Sequence, residues 1–266
     1  MPMTAYEKPA GPRHHLYDMH CHLDFAANGA ALAREASRTG IRAFSTTVDP
    51  RDYRDALGLL DGIPGMYVGL GLHPWWLADG RCGEEEVRLF VELAAQVRLI
   101  GEVGLDFAPR REGSFDRQRA VFARLMGACA GGGRLFSFHS VRAASVLLDV
   151  LEETRALDGS AAVLHWFSGS GEELNRAVRL GCLFSVGSRM LATKRGRSYA
   201  RSLPAERLLL ETDLPDEPGD RLELGTWQAD LEKTLARLAK LRGLAVDAMA
   251  EQLVQNSEEA LAAATR

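Results

Sequence analysis

Cysteine is scarce and dispersed in this 266-residue sequence: Cys21, Cys82, Cys129 and Cys182 form no C-x-x-C pair. That usage speaks against a disulfide framework and suits a reducing, cytoplasmic setting. No apolar run reaches the ~18 residues of a membrane span, so no membrane is expected among the partners. The first 16 residues, MPMTAYEKPAGPRHHL, lack the apolar stretch of a secretory signal. Residues 1–14 read as a loose lead-in, with His14 and His15 solvent-exposed. A strong charge of either sign is also missing: 32 Lys and Arg stand against 36 Asp and Glu, a formal net charge of −4. This excludes an overall basic attraction for nucleic acid, so any such binding must come from a local patch. No G-x-G-x-x-G follows the first strand-like run, which removes the best signature of a dinucleotide fold. No linker or low-complexity run divides the chain, and residues 1–266 read as one domain.

What is present is an apolar fraction of 46%, enough for a large core, in a regular alternation. Short apolar, β-branched or aromatic runs at 15–25, 41–49, 66–74, 98–107, 134–141, 161–169, 182–188 and 207–215 alternate with segments of helical spacing. Gly40, Gly62, Gly181 and Gly243 fall where helices would stop. Strand–helix alternation implies a parallel sheet. Eight such units in about 250 residues favour a closed (β/α)8 barrel of the α/β class over an open doubly wound sheet. The tail 246–264 reads as further terminal helix.

The polar residues fall where such barrels carry chemistry, at the C-terminal ends of the strands. In DMHCHLDF (18–25), alternation along a strand puts His20 and His22 on one face and Met19, Cys21 and Leu23 on the other. The third strand ends in His73, the fourth in Glu102 and Asp106, the fifth in His139, the sixth in His165 and the eighth in Glu211 and Asp213. A carboxylate inside IGEVG is costly to bury unless it is paired or meets a cation. Imidazoles and carboxylates without thiolates suit Zn²⁺, Mn²⁺ or Mg²⁺ and do not choose among them. Four histidines and two carboxylates exceed one tetrahedral shell. Two divalent ions ~3.5–4 Å apart, with Glu102 and a water between them, would use the set. That is an arrangement for hydrolysis.

Taken together, D-x-H-x-H-L-D, G-x-H-P, G-E-x-G-L-D, the strand-5 histidine, H-x-F-S-G and L-L-x-E-T-D-x-P resemble the TatD-type metal-dependent deoxyribonucleases, one group of the amidohydrolase-like barrels. The motifs run in family order from residue 18 to 215, and Asn256 is similar to an asparagine of the family's terminal helix. The resemblance implies phosphodiester hydrolysis, often as an exonuclease on DNA. By motif match His20, His22 and Asp213 would hold one ion and His139 and His165 the other, with Glu102 bridging. Asp213 would accept the proton of the attacking water; Glu211, counted with Asp213 and Glu102 among the catalytic residues, and His73 would stand behind the ligands or near the substrate. Three departures concern substrate contacts. Trp75 stands where the family pattern has a second histidine, Val141 stands at an arginine position with Arg142 beside it, and DEPGD (216–220) replaces a basic stretch. HWFSGS and LGCLFSVGSRML also resemble the TatD-like nuclease subunit of the Qat antiphage cassettes, implying subunits of a defence assembly as partners.

The segment SRMLATKRGRSYARS (188–202) follows the seventh strand, so it is expected to open onto the rim of the site. Arg189, Lys194, Arg195 and Arg197 in it, with Arg142 and His73, are the expected substrate contacts, since guanidinium forks suit phosphate oxygens. Arg110 and Arg111 would extend the patch, and Trp75, Trp76, Trp166 and Phe167 lie near the mouth. The leading expectation is a metal-dependent phosphodiesterase on single-stranded DNA ends. The alternatives are hydrolysis of an amide, lactone or aminoacyl ester, and a non-catalytic barrel serving as a subunit.

Overall fold

The computed structural model describes residues 15–264. Eight parallel strands, β1 Leu16–Cys21, β2 Ile41–Thr46, β3 Met66–Leu72, β4 Leu99–Asp106, β5 Leu135–Val141, β6 Ala161–His165, β7 Leu183–Val186 and β8 Leu208–Leu210, pair in sequence order, with helices between them. The chain closes the ring just beyond β8. The Asp213 N–H donates to His20 O (2.9 Å) and the His22 N–H to Leu214 O (2.8 Å). The buried Asp18 carboxylate locks the same seam, accepting from the Thr212 N–H and hydroxyl and from Trp227 Nε1 at 2.7 Å. The result is the expected (β/α)8 barrel.

Alternation along the strands sorts the interior into layers. Leu135, Val163, Leu183 and Leu209 point inward at the N-terminal end and pack with Tyr17, Met19 and Phe44. Ala260, Leu261 and Ala264 of the last helix, Val246–Ala263, and its end close that end of the barrel. Two residues further along their strands come Ser137, His165, Ser185 and Glu211, and two beyond Ser137 comes His139, all buried. The intervening residues Phe136, Phe138, Leu164 and Phe184 face out into the main helix-covered core.

Three local expectations are corrected. Met19 does not share a face with Cys21 and Leu23. The β1 register shifts between Asp18 and Cys21, so Met19 stays inside with Tyr17 while Cys21 and Leu23 enter the outer core. The eighth run yields only three strand residues, and Glu211 and Asp213 sit on the extended chain beyond them. The segment after β7 meets the rim only through Arg189 and Thr193; the rest is drawn into helices Ser188–Ala192 and Lys194–Ser202, the second capped by the Thr193 hydroxyl accepting from the Gly196 N–H at 2.9 Å. His15 is exposed as expected; His14 and the proposed lead-in 1–14 lie outside the described residues. Among the described residues no helix is long and apolar enough to cross a membrane.

Close backbone approach fixes the strand that carries Glu102. A side chain at Gly71 would place its Cβ 1.6 Å from Thr47 O, the carbonyl that accepts the Glu102 N–H at 2.7 Å. At Gly104, where φ is +148°, a Cβ would fall 2.0 Å from His139 O. Only glycine lets β4 lie this near its neighbours.

Candidate metal centre

Glu102 is the hub. Its Oε2 lies 3.3 Å from His20 Nε2 and 3.4 Å from His22 Nε2. Its Oε1 lies 2.9 Å from His139 Nδ1, 2.9 Å from His165 Nε2 and 3.1 Å from His73 Nε2. Asp213 Oδ1 completes the first side at 3.3 Å from His22 Nε2 and 3.6 Å from His20 Nε2. The six expected ligands therefore converge, and the two oxygens of one carboxylate face two different sets of nitrogens.

Partners outside the cluster decide which ring nitrogens are available. The Thr46 carbonyl can only accept, so His22 Nδ1 carries the proton it donates at 2.8 Å and leaves the Nε2 lone pair facing Asp213 and Glu102. His139 is turned the other way: Nε2 lies 3.3 Å from Asp106 Oδ2 and Nδ1 faces the cluster. His20 Nδ1 is 2.7 Å from the Ser137 hydroxyl. His73 differs. The Trp75 N–H donates to its Nδ1 at 3.1 Å, so in the neutral ring Nε2 holds the proton and donates it to Glu102. Although close enough to group with Glu102 and His139, His73 is built as a hydrogen-bond donor that orients the hub.

The donor set fits divalent cations. His20 Nε2 is buried with no hydrogen-bond partner, although two carboxylates face it. His20–Glu102–His165 and His20–His22–Asp213 each bring three ligand atoms within 4.8 Å of one another. Burial opposes charge on Glu102, but the surrounding imidazoles of His73, His165 and His20 and the hydrogen bond with His139 outweigh it and hold the carboxyl well below its usual range. Burial, helped by His165, pushes His20 down to about 4, so that ring is neutral. At His22 the bond it donates to Asp213 and the charge of Glu102 overcome burial and raise the pKa to about 9. At His139 burial is likewise overcome, by Asp106 and Glu102, again to about 9. Without an ion, protons on these two rings balance the carboxylates.

A pH dependence of loading follows. His22 and His139 are protonated at pH 7 because their pKa values are raised, and a ligand nitrogen must be deprotonated to bind. Filling the centre at pH 7 is expected to release about one proton from each ring, and affinity is expected to rise with pH up to about 9. Zn²⁺ titration followed with a pH indicator in weak buffer measures both; loading with no proton release would contradict it.

The cluster forms the floor of an open cavity of about 660 Å³ whose walls include Phe25, Trp75, Trp76, Trp166, Arg110 and Arg189. Arg189 Nη1 donates to Asp213 Oδ2 at 3.1 Å, and its other arm pairs with Asp216. Of the expected substrate contacts, Arg189 and His73 line this cavity, whereas Arg142, Lys194, Arg195 and Arg197 do not. Arg195 donates to Ser168 O, and Arg197 turns back onto Leu191 O and Ala192 O. Glu211, expected among the catalytic residues, lies behind His165 and outside the lining, accepting from the Trp166 N–H at 3.1 Å and from the Ser185 hydroxyl. Burial, together with Asp213, Asp18 and Glu102, raises its pKa well above the usual range. The supporting roles of four residues escaped the sequence reading: Ser137, Asp18, Trp75 and Asp106. Only Ser137 had a local signal, two positions before His139 on the inward face.

Residues 17–262 match the family described as TatD related DNase. The chain is 27% identical to an uncharacterized metal-dependent hydrolase, YjjV, of Escherichia coli K12 over 90% of its own length and 95% of the relative's. It is 31% identical to the 3′-5′ ssDNA/RNA exonuclease TatD of Escherichia fergusonii over 72% and 74% of the two chains. The crystal structure of YjjV superposes with a TM-score of 0.77 at 26% identity, covering 92% of this chain and 97% of that one. With its barrel, its ligand set and this match along nearly its whole length, the chain belongs to the TatD-related DNase family of metal-dependent hydrolases.

Proposed function

We propose that this is a cytoplasmic phosphodiesterase that shortens single-stranded DNA from an end, using two divalent ions held by His20, His22 and Asp213 on one side and His139 and His165 on the other, with Glu102 between. The observation that carries the reading is the split of Glu102, Oε2 toward one set of nitrogens and Oε1 toward the other. Bound there, Zn²⁺, Mn²⁺ or Mg²⁺ would supply Lewis acidity and a nucleophile at neutral pH. The chain supplies the rest. Burial opposes ionisation of Asp213, but the bond from His22 and the neighbouring imidazoles of His165 and His20 hold its pKa below the usual range, so it is ionised and has the lone pair that a proton acceptor needs. Arg189, 3.1 Å from Asp213, is placed to meet a phosphate oxygen next to the reacting bond. The tryptophan walls offer stacking surfaces to unpaired bases. Lys194, Arg195 and Arg142 are left to contacts farther along a strand, whereas Arg197 is spent on Leu191 O and Ala192 O. The exonucleolytic relative of Escherichia fergusonii supports the substrate class.

A second reading has its own observation. Asp216 and Glu217 line the mouth, where a polyanion would be repelled, and this favours a neutral amide, lactone or aminoacyl ester. The deciding experiment is hydrolysis of end-labelled single-stranded DNA by metal-stripped protein after add-back of Mg²⁺, Mn²⁺ or Zn²⁺. Metal-dependent laddering from one end is the expected result. No cleavage by protein carrying both ions would overturn it in favour of carbonyl substrates or of a nuclease that needs the other subunits of a defence assembly.

A further inference from the structure

We infer that Trp75 is a positioning residue of the metal centre: its indole N–H fixes Asp106, and Asp106 fixes which nitrogen of His139 reaches the ions. The inference rests on the proposed centre and concerns a residue that belongs to none of its ligand sets.

Trp75 is the second residue of the short helix Pro74–Ala78, which follows β3 after His73. Its Nε1 donates to Asp106 Oδ2 at the end of β4, and the same oxygen lies 3.3 Å from His139 Nε2 on β5. The carboxylate cannot turn away. Oδ1 accepts the Ala108 N–H at 2.8 Å. The backbone of Asp106 is held from both sides by Gln118, which accepts its N–H at 2.8 Å and donates to its carbonyl at 2.9 Å. With Asp106 Oδ2 taking the proton of His139 Nε2, Nδ1 is the nitrogen left facing Glu102 at 2.9 Å and His165 at 3.4 Å. Indole is a donor only, so its proton marks one orientation of Asp106. The ring itself is clamped: the Arg111 guanidinium lies 4.6 Å over it, and His139 meets it edge-on at 5.5 Å. Trp75 thus ties the ends of three adjacent strands and sets the geometry of the second ion's ligand, while its face forms part of the cavity wall.

Partners of metal-bound histidines are worth roughly 10–100-fold in affinity. The test is a Co²⁺ or Zn²⁺ titration of metal-stripped wild type, Trp75→Phe, Asp106→Asn and the double variant. Trp75→Phe keeps an aromatic face, on a smaller ring, and loses the N–H. It is expected to weaken one ion by about 10–100-fold and to leave the other unchanged. Asp106→Asn must put an amide nitrogen against a donor whichever way it is turned, so it is expected to weaken the same ion even if Trp75→Phe fails to fold. Because the two act through one carboxylate, the double variant is expected to be no worse than Asp106→Asn alone. Wild-type affinity for both ions in Trp75→Phe, or losses that multiply in the double variant, would overturn the inference. The two-ion reading fails separately, on the wild type: if that takes up one ion only, the same cycle is read on that ion.

Discussion

Glu102→Gln is expected to abolish metal-dependent hydrolysis while leaving the barrel folded. The glutamine fills the same volume, and its backbone N–H still reaches Thr47 O. What disappears is, among the described residues, the one charge that faces both sets of nitrogens. An amide nitrogen at either terminus would face His20 and His22 or His139 and His165, where a cation and neutral rings are needed. Metal ions in such sites supply several kcal/mol of transition-state stabilisation. Loss of loading at both sites is therefore expected to lower kcat by roughly 10³-fold, about 4 kcal/mol in the barrier. Elemental analysis should find fewer than two ions per chain, and end-labelled single-stranded DNA should persist. A Glu102→Gln protein that kept both ions and came within about tenfold of wild-type rate, 1.4 kcal/mol, would remove Glu102 from the centre.

The contrast between legible and illegible features follows the range of the forces involved. Strand–helix alternation is local, and it placed all eight strands. The histidines were legible because imidazole at the end of an otherwise apolar run is conspicuous: His139 follows LFSF and His165 follows AAVL. What the sequence hid depends on neighbours distant in the chain. The slip in β1 that turns both Met19 and His20 inward arises from pairing with β2 and has no mark in DMHCH itself. His73 carries the same side chain as the ligands, and only the Trp75 N–H on its Nδ1 reveals a donor. The basic run 194–201 looked like a rim because its charges were counted before its cap. The Thr193 hydroxyl starts a helix there, and Arg197 is spent on carbonyls of the preceding turn. Trp75 and Asp106 are 31 residues apart, and nothing short of the fold brings them together.

The second large effect is expected at Asp213, and the backbone dictates which variant reports it cleanly. Asp213 has φ +61°, in the left-handed region, held there by its N–H on His20 O. Alanine would add backbone strain of order 1–3 kcal/mol and mix folding with chemistry, whereas asparagine enters this region readily. Asp213→Asn keeps the size and can keep an oxygen toward His22 Nε2, but it cannot take a proton from the attacking water. Its nitrogen must then face Arg189 Nη1, donor against donor, which frees the guanidinium to follow Asp216 or the substrate. General bases contribute roughly 10²–10⁴-fold, so kcat is expected to fall by that order. KM for a short single-stranded oligonucleotide should change far less, because the tryptophan walls and Arg189 remain. The split separates two roles for one carboxylate. A fall in kcat with both ions still bound identifies Asp213 as the proton acceptor. An equal fall accompanied by loss of the ion beside His20 and His22 makes it a ligand alone, and a rise in KM with kcat intact would move it out of the chemistry and into substrate binding.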